Sequence, residues 1–282
     1  MPEIAYVNGG FLPLEQATVH VEDRGFQFAD SAYEVMRTYD GKLFAAEEHI
    51  ERLFRSLSAL ELEHHFTAKE LICIAEEAVR RSKFAEAMVY LQVTRGIARR
   101  HRGVPAKCAP TIIITVRELH PATPSQWGNG LSCITVPDNR WGRCDIKTVA
   151  LLANVLAYHA AQKAGANDAI FIGADGTVAE ATAGNIFIVT HGELRTPPKS
   201  PRLLSGITRD KLLGAARATG IPCAEQSVTK AELVAADEVF LSSTTNEVAP
   251  VTVVDGQKIG TGKPGPLARR VYEQFLKTFV RP

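Results

Sequence analysis

The fold of this chain is constrained most by its pattern of short β-branched strands separated by tight turns. Asn8-Gly9, Asp40-Gly41 and Asp175-Gly176 are dipeptides that suit turns with positive φ, and such turns join the strands of β-hairpins. Strand-like segments are predicted at 88–93, 111–116, 131–136, 169–172, 177–181, 185–189 and 238–241. Helices interrupt these strands irregularly and do not follow each of them. The pattern therefore predicts an α+β fold and disfavours a doubly wound parallel sheet.

Helical segments are predicted at 45–60, 68–82, 149–161, 208–219 and 266–279. The segment 120–125, His-Pro-Ala-Thr-Pro-Ser, contains two prolines and small polar residues that break any periodic element. We interpret it as an interdomain linker. The expected organisation is a smaller N-terminal domain over 1–119 and a larger C-terminal domain over 126–282.

Composition excludes several classes of partner and site. Hydrophobic residues make up 45% and charged residues 22% of the 282 residues, which is typical of a soluble globular protein, and the net charge of +1 does not indicate a nucleic-acid or anionic-membrane partner. The sequence has no GxGxxG and no GxxxxGK[ST] motif. Five scattered cysteines without CxxC spacing argue for reduced thiols and against a zinc site. With no secretory signal recognised at its N-terminus, the chain is expected to be cytoplasmic. The eight histidines do not cluster at metal-ligand spacing either, so no metal site is expected.

Lys147 is the first candidate for a catalytic residue. It precedes a mostly apolar segment, and a desolvated lysine amine can form a Schiff base with a carbonyl group. A carboxylate, Glu180, follows 33 residues later (180 − 147). Because most lysines are simply exposed to solvent, the pattern alone does not identify a site.

Two segments could bind an anion. Gly206-Ile207-Thr208 opens a predicted helix, and the free N–H groups of a helix N-terminus attract anions, although an ordinary Ser or Thr cap is the alternative. The segment 242–245, Ser-Ser-Thr-Thr, follows a predicted strand and could bind phosphate or form a plain polar loop. Arg52, on a predicted helix, is not distinguished by its neighbours.

Seven segments in order give the chain a specific resemblance. They are 22–30 (EDRGFQFAD), 33–35 (YEV), 48–53 (EHIERL), 92–96 (QVTRG), 143–147 (RCDIK), 206–209 (GITR) and 242–245 (SSTT). The chain resembles the fold-type IV family of pyridoxal-phosphate enzymes over nearly its whole length. The Cys-Asp-Ile-Lys tetrapeptide points to the D-amino-acid transaminase branch. The resemblance implies a two-domain α+β fold with a β-barrel-like core in the C-terminal domain.

The resemblance also implies a role for each matched residue near the reacting atoms. Lys147 would form the Schiff base with pyridoxal 5′-phosphate and carry the proton between substrate and cofactor. Glu180 would pair with the pyridine nitrogen, which favours the protonated ring, the better electron sink. Leu204 would pack on one face of the cofactor. Tyr33 would line the active site, where its hydroxyl can reach the substrate carboxylate.

At the other end of the cofactor, the resemblance implies four phosphate ligands. They are the side chains of Arg52 and Thr244 and the backbone amides of Ile207 and Thr208.

The loop expected to bind the substrate carboxylate departs from the family pattern. Well-known D-amino-acid transaminases carry Arg-x-His after Thr-Arg-Gly, whereas this chain has Arg100-His101-Arg102. Arg100 falls on the arginine position and Arg102 on the histidine position. A guanidinium binds a carboxylate bidentately, so both arginines are candidate substrate ligands, with solvated loop charges as the alternative. A second departure is Thr182-Ala183-Gly184 before Asn185, where the family often has serines.

The implied activity is transamination between D-amino acids and 2-oxo acids, of the D-alanine/pyruvate and D-glutamate/2-oxoglutarate type. Alternatives on the same fold are a branched-chain L-amino-acid transaminase, an R-selective amine transaminase and an aminodeoxychorismate lyase. A binding protein that kept the fold is a further alternative, against which Lys147 and Glu180 argue. The family implies a homodimer, with the loop around Arg100 serving the partner's site.

Overall fold

The computed structural model describes residues 3–120 and 127–280, which belong to two compact units. The N-terminal unit comprises Met1–His120 and the returning segment Ile146–Ala150, and the C-terminal unit comprises Pro121–Asp145 and Leu151–Pro282. Apart from His120, the predicted linker lies outside the described residues, and the predicted domain limits stay a prediction. Within the described ranges, none of the helices has the length and apolar character needed to cross a membrane.

The N-terminal unit is built on a six-stranded antiparallel sheet with the order β2-β1-β6-β5-β3-β4. The strands are β1 (Ile4–Val7), β2 (Gly10–Pro13), β3 (Ser31–Tyr39), β4 (Lys42–Leu43), β5 (Ala87–Thr94) and β6 (Thr111–Glu118). Asn8 and Gly9 join β1 to β2 with φ of 46° and 103°, and Asp40 and Gly41 join β3 to β4 with φ of 49° and 76°. The two predicted hairpin turns are confirmed.

Three helices accompany this sheet: α1 (Arg24–Phe28), α2 (Ala46–Ala59) and α3 (Ala68–Ser82). Alternate residues of β5 are fully buried, among them Val89 and Leu91, and they form one core with Leu53 of α2 and Leu71 of α3. This alternation arises because successive strand residues point to opposite faces of the sheet. The opposite face is only half-buried.

The C-terminal unit contains a curled half-barrel sheet, which confirms the expected barrel-like core. The strands are β7 (Leu131–Pro137), β8 (Asp168–Ile172), β9 (Val178–Ala181), β10 (Asn185–Thr190), β11 (Glu193–Thr196), β12 (Cys223–Glu225), β13 (Glu238–Ser243), β14 (Glu247–Val254) and β15 (Gln257–Lys258). Their order is β12-β11-β10-β13-β14-β7-β8-β9, with β15 paired to β14. Parallel and antiparallel pairs are mixed, as in an α+β fold.

The helices of this unit are α4 (Leu152–Lys163), α5 (Ile207–Ala218), α6 (Lys230–Ala235) and α7 (Pro266–Phe275). Two predicted boundaries are wrong. The helix after Lys147 begins at Leu152, not at residue 149; just before it, Thr148 bridges to Ala32 and its Oγ1 accepts a hydrogen bond from the N–H of Ala150. The last α-helix ends at Phe275, and residues Leu276–Val280 form a π-helical turn.

Candidate active site

Lys147 lies in the returning segment of the N-terminal unit, and its backbone is fixed against β3 and α2. Thr148 forms an isolated antiparallel bridge with Ala32 of β3. The carbonyl of Lys147 accepts a hydrogen bond from the N–H of Tyr33 at 2.9 Å, and its own N–H donates to Ser56 Oγ of α2 at 3.2 Å. These bonds fix the lysine backbone to two elements far away in sequence.

The side chain of Lys147 lies over an aromatic ring. Its Nζ is 4.4 Å from the centroid of the Tyr33 ring, which is a cation–π distance. Tyr33 in turn stacks on Tyr90 of β5 at 5.4 Å, and the Tyr90 hydroxyl donates to Gln92 Oε1 at 2.8 Å. The structure therefore brings two predicted site residues, Lys147 and Tyr33, into contact.

Arg52 is buried on α2 and is held by a carboxylate that sequence reasoning missed. Its Nε and Nη2 donate to the two oxygens of Glu34 on β3, each at 2.7 Å, and Glu34 also contacts His49 Nδ1 at 2.7 Å. All three residues are at most 5% exposed. A bidentate pair of this kind orients the guanidinium plane.

Burial and charge shift the pKa values in this cluster. Burial alone would raise the pKa of Glu34, but the charge and hydrogen bonds of Arg52, together with His49, lower it to about 2. Burial lowers the pKa of His49; Glu34 opposes this shift, while the positive charges of Arg52 and Lys147 add to it. The expected ground state at neutral pH is an ionised Glu34 beside a neutral His49.

Arg100 and Arg102 lie in an exposed loop of the N-terminal unit. The Arg100 guanidinium lies 4.7 Å from the ring centroid of Phe28, and Arg24 lies at 4.9 Å from the same ring. Arg24 Nη1 also donates to the carbonyl of His101 at 2.7 Å, which fastens the loop. Within the described part of the chain, the ring contact of Arg100 is with Phe28, so the structure does not bring it to Lys147.

Glu180 lies on β9 in the C-terminal unit and is 7% exposed. One oxygen accepts a short hydrogen bond from Arg140 Nη1. The other accepts from the N–H of Leu204 at 3.1 Å and, more weakly, from Asn185 Nδ2 at 3.4 Å. Asn185 Nδ2 also donates to the carbonyl of Leu204 at 2.8 Å. Two predicted residues, Glu180 and Leu204, are thus in direct hydrogen-bond contact, and Asn185 contacts both of them.

Arg140 is a site residue that sequence reasoning missed. It lies just after β7, is 5% exposed at its side chain, and also donates to Asp138 and to the carbonyl of Arg202. Burial works against its charge, but hydrogen bonds and charges from Asp138 and Glu180 raise the pKa of Arg140 above its usual range. Its guanidinium also lies 4.2 Å from the Phe171 ring centroid. Nothing in the local sequence connects Arg140 to a carboxylate 40 residues away.

The N-terminus of α5 has no side-chain cap. Gly206 is the N-cap residue, so the alternative of an ordinary Ser or Thr cap does not hold, and among the described residues no side-chain cap hydrogen bond is found at this helix start. A Cβ on Gly206 would collide with Oδ1 of Asn185. Only glycine permits this close approach. Ile207 is half-buried and Thr208 is 7% exposed in the first turn.

A buried hydroxyl lies on the neighbouring strand. Ser242 of β13 pairs with Asn185 of β10, so their side chains share one face of the sheet. Ser242 is 2% exposed, and its Oγ has no hydrogen-bond partner among residues 3–120 and 127–280. Buried polar atoms normally have partners, so this atom fits a site for a bound group. Thr244 is half-buried in the turn after β13, two residues beyond Ser242.

Comparison with known proteins assigns the family. The model for the family described as amino-transferase class IV matches residues 31–254. The chain belongs to the class IV aminotransferases. This confirms the predicted fold-type IV family and the predicted enzyme class.

Individual class IV aminotransferases are similar over nearly the whole chain. A D-alanine aminotransferase from Bacillus licheniformis is 42% identical over 264 residues, covering 94% of this chain and 93% of its own. The branched-chain amino acid aminotransferase of Escherichia coli superposes with a TM-score of 0.91 at 26% identity, covering 99% and 95% of the two chains. A pyridoxal-phosphate-bound hypothetical aminotransferase from Mycobacterium tuberculosis has a TM-score of 0.85 at 25% identity, with 98% and 99% covered.

Proposed function

We propose that this class IV aminotransferase transfers amino groups between D-amino acids and 2-oxo acids. D-Alanine with pyruvate and D-glutamate with 2-oxoglutarate are the expected pairs. The observation that carries this proposal is the 42% identity to a D-alanine aminotransferase over 94% of the chain. The Cys144-Asp145-Ile146-Lys147 tetrapeptide supports the same branch of the family.

The cofactor is pyridoxal 5′-phosphate, as the family and a cofactor-bound neighbour support. When bound, it supplies an electron sink for the electrons released at the substrate α-carbon. The described residues suit it. A buried carboxylate, Glu180, fits the pyridine nitrogen, and the uncapped α5 with the unpartnered Ser242 Oγ fits the phosphate.

Lys147 and Glu180 carry the chemistry of the proposal. The Lys147 amine would hold the cofactor, and it would accept the proton that leaves the substrate α-carbon and donate it to the cofactor. Glu180 would favour a protonated ring nitrogen. Arg140 and Asn185 keep Glu180 in position, and an adjacent guanidinium favours the ionised form of a carboxylate.

In this proposal the cofactor phosphate is bound by the side chains of Arg52 and Thr244 and by the backbone amides of Ile207 and Thr208. Helix N-termini and arginine forks are the groups that bind phosphate most readily in proteins. The Glu34 carboxylate orients the Arg52 guanidinium for this task.

Substrate recognition falls to Tyr33, Arg100 and Arg102. The carboxylate of an amino acid or a 2-oxo acid suits a guanidinium fork. Arg102 takes the place of the family's histidine in this role. In the proposed homodimer this loop serves the partner's site.

A half-reaction tests the proposal. Protein loaded with pyridoxal phosphate is mixed with a single amino acid and no 2-oxo acid, and the cofactor absorbance is followed. We expect D-alanine and D-glutamate to change the spectrum while L-leucine leaves it unchanged. Lys147→Ala protein is the control and should not convert the cofactor to pyridoxamine phosphate with any of them, because it lacks the proton carrier. An unchanged spectrum with both D-amino acids contradicts the proposal.

The second candidate is a branched-chain L-amino-acid transaminase. The structural likeness to the Escherichia coli branched-chain enzyme, at a TM-score of 0.91, favours it. The same half-reaction decides between the two, because L-leucine would then change the spectrum and D-alanine would not.

We further propose a cytoplasmic homodimer. On α4, Leu152, Val155 and Leu156 share one helical face and are 71%, 59% and 56% exposed. A contiguous apolar face of this kind typically marks an interface. Light scattering should give the mass of two chains for the parent and the mass of one chain for Leu156→Glu. Lys69→Glu, at an exposed position on α3, is the control and should keep the mass of two chains. A parent protein with the mass of one chain would contradict the dimer.

A further inference from the structure

A buried arginine lies in the first turn of α5, where a cation is least expected. Arg209 is the third residue of the helix and is fully buried. A positive charge in a first turn opposes the helix dipole, and a buried guanidinium is costly unless it is paired. The hydrogen-bond and charge partners of Arg209 must therefore offset the cost of burying its guanidinium.

The Arg209 guanidinium ties the first turn of α5 to the ends of two strands. Its Nη2 donates to the carbonyl of Pro197, just after β11, at 2.9 Å and to Glu225 Oε2, at the end of β12, at 2.7 Å. Its Nη1 donates to Asp210 Oδ1 at 3.0 Å. The two carboxylates compensate the buried charge.

These bonds close the base of the loop that precedes α5. The loop runs over 197–206, and Arg209 holds its first residue to the helix. Near its other end, Leu204 is held independently, through its N–H by Glu180 and through its carbonyl by Asn185. Arg209 therefore ties the strand end of the loop to the helix, while Glu180 and Asn185 hold Leu204 nearer its helix end.

We propose that Arg209 is a positioning residue for the cofactor phosphate. By fixing the first turn of α5 to β11 and β12, it holds the amides of Ile207 and Thr208 in the geometry that an anion requires. The inference rests on the proposed function, in which those amides bind the phosphate. The unpartnered Ser242 Oγ points independently to a ligand, because it lies on the sheet face of Asn185, against which Gly206 packs.

The test compares two ligands that differ only in the phosphate. Cofactor-free protein is titrated with pyridoxal phosphate and with pyridoxal, and the ratio of the two affinities is the readout. Arg209→Met removes the guanidinium, whereas Arg209→Lys keeps the positive charge but cannot bind several acceptors at once. Glu225→Gln leaves Arg209 in place and removes only the negative charge of one of its partners. Arg217→Met is the matched control, since this arginine of the same helix is 60% exposed at its side chain and lies 3.9 Å from Glu225.

We expect the parent to prefer pyridoxal phosphate and Arg209→Met to reduce that preference about tenfold or more, the effect of one lost charged hydrogen bond. Pyridoxal affinity should stay within about twofold, because Leu204 and Glu180 are held separately. Arg209→Lys should retain part of the preference for pyridoxal phosphate that Arg209→Met loses. Glu225→Gln should lower this preference less than Arg209→Met does, and Arg217→Met should leave it unchanged.

Two results would overturn the inference. One is an unchanged preference in Arg209→Met. The other is an equal loss of affinity for both ligands, as expected for a purely structural role. If Arg209→Met does not fold, the other two variants decide: an affinity ratio of pyridoxal phosphate to pyridoxal that is unchanged in both Arg209→Lys and Glu225→Gln would overturn the inference. A parent without any preference for the phosphorylated ligand would refute the proposed phosphate site itself, which is a separate outcome.

Discussion

Replacing Arg140 by methionine tests whether this arginine holds the Glu180 carboxylate in place. The guanidinium donates to Glu180, to Asp138 and to the carbonyl of Arg202. The side chains of Arg140, Asp138 and Glu180 are 5%, 11% and 9% exposed, so water cannot readily replace the lost partners. The substitution therefore leaves two carboxylates beside each other without their shared cation.

The magnitude follows from these contacts. Breaking a buried ion pair by removing one partner costs about 3–5 kcal/mol. Methionine is flexible and can recover about 1 kcal/mol by packing on Phe171, over which the guanidinium now lies. We therefore expect Arg140→Met to lower the free energy of unfolding by about 3 kcal/mol.

Urea denaturation of the cofactor-free protein, followed by circular dichroism, measures this change. In a Glu180→Gln background the same substitution should cost at least about 1 kcal/mol less, because the lost charge interaction is absent from the start. Arg202→Met is the control, since its ion pair with Asp175 is about half-exposed and should be worth less than about 1 kcal/mol. A loss below about 1 kcal/mol for Arg140→Met, or additivity with Glu180→Gln within about 0.5 kcal/mol, would refute the reasoning.

Three further measurements follow from the structure. The temperature of thermal unfolding should fall on acidification in two steps: below about pH 6.5, because the unfolded chain protonates His49 more readily than the folded one, and below about pH 4.5, because Glu34, whose pKa is lowered to about 2 in the folded protein, loses its stabilising charge. Glu34→Gln should flatten the lower step. An unfolding temperature of the parent that does not change with pH would contradict this prediction. Gly206→Ala should weaken pyridoxal-phosphate binding in a titration, because its Cβ collides with Asn185, and an unchanged affinity would disprove the close approach. Thr67→Ala should cost about 1 kcal/mol in urea denaturation by removing the capping box of α3, and no change would show that the cap is not formed in solution.

The elements that the sequence predicted well are those whose signals are local. The helix predicted over 68–82 has the same bounds as α3, since its apolar residues follow one helical face. The hairpin turns at Asn8-Gly9 and Asp40-Gly41 were likewise predictable from φ preferences alone.

The start of the helix after Lys147 was predicted wrongly because its boundary is set by a long-range contact. Apolar residues from Val149 onward fit a helix locally, but Thr148 is bridged to Ala32 of β3 and its Oγ1 accepts from the N–H of Ala150, so the helix begins only at Leu152. Tertiary pairing outweighs local propensity here.

The partners of the site residues could not be read from the sequence for the same reason. Glu34 lies 18 residues before Arg52, and Arg140 lies 40 residues before Glu180. Each pair forms only after strands and helices have assembled, so a window along the sequence shows an isolated arginine. The roles of Arg100 and Arg102 rest on family likeness and stay a prediction.

The returning segment around Lys147 has a consequence for how the protein is synthesised. The six strands of the N-terminal sheet lie within the first 118 residues, so they can pair before the ribosome has made Lys147. The bridge from Ala32 to Thr148 spans 116 residues (148 − 32) and forms only after translation has moved well into the second unit. A nascent chain released early could therefore acquire most of a folded domain while lacking Lys147, the proposed Schiff-base residue. Neither unit corresponds to one uninterrupted stretch of the gene, so a truncation at residue 120 would separate the N-terminal sheet from this lysine.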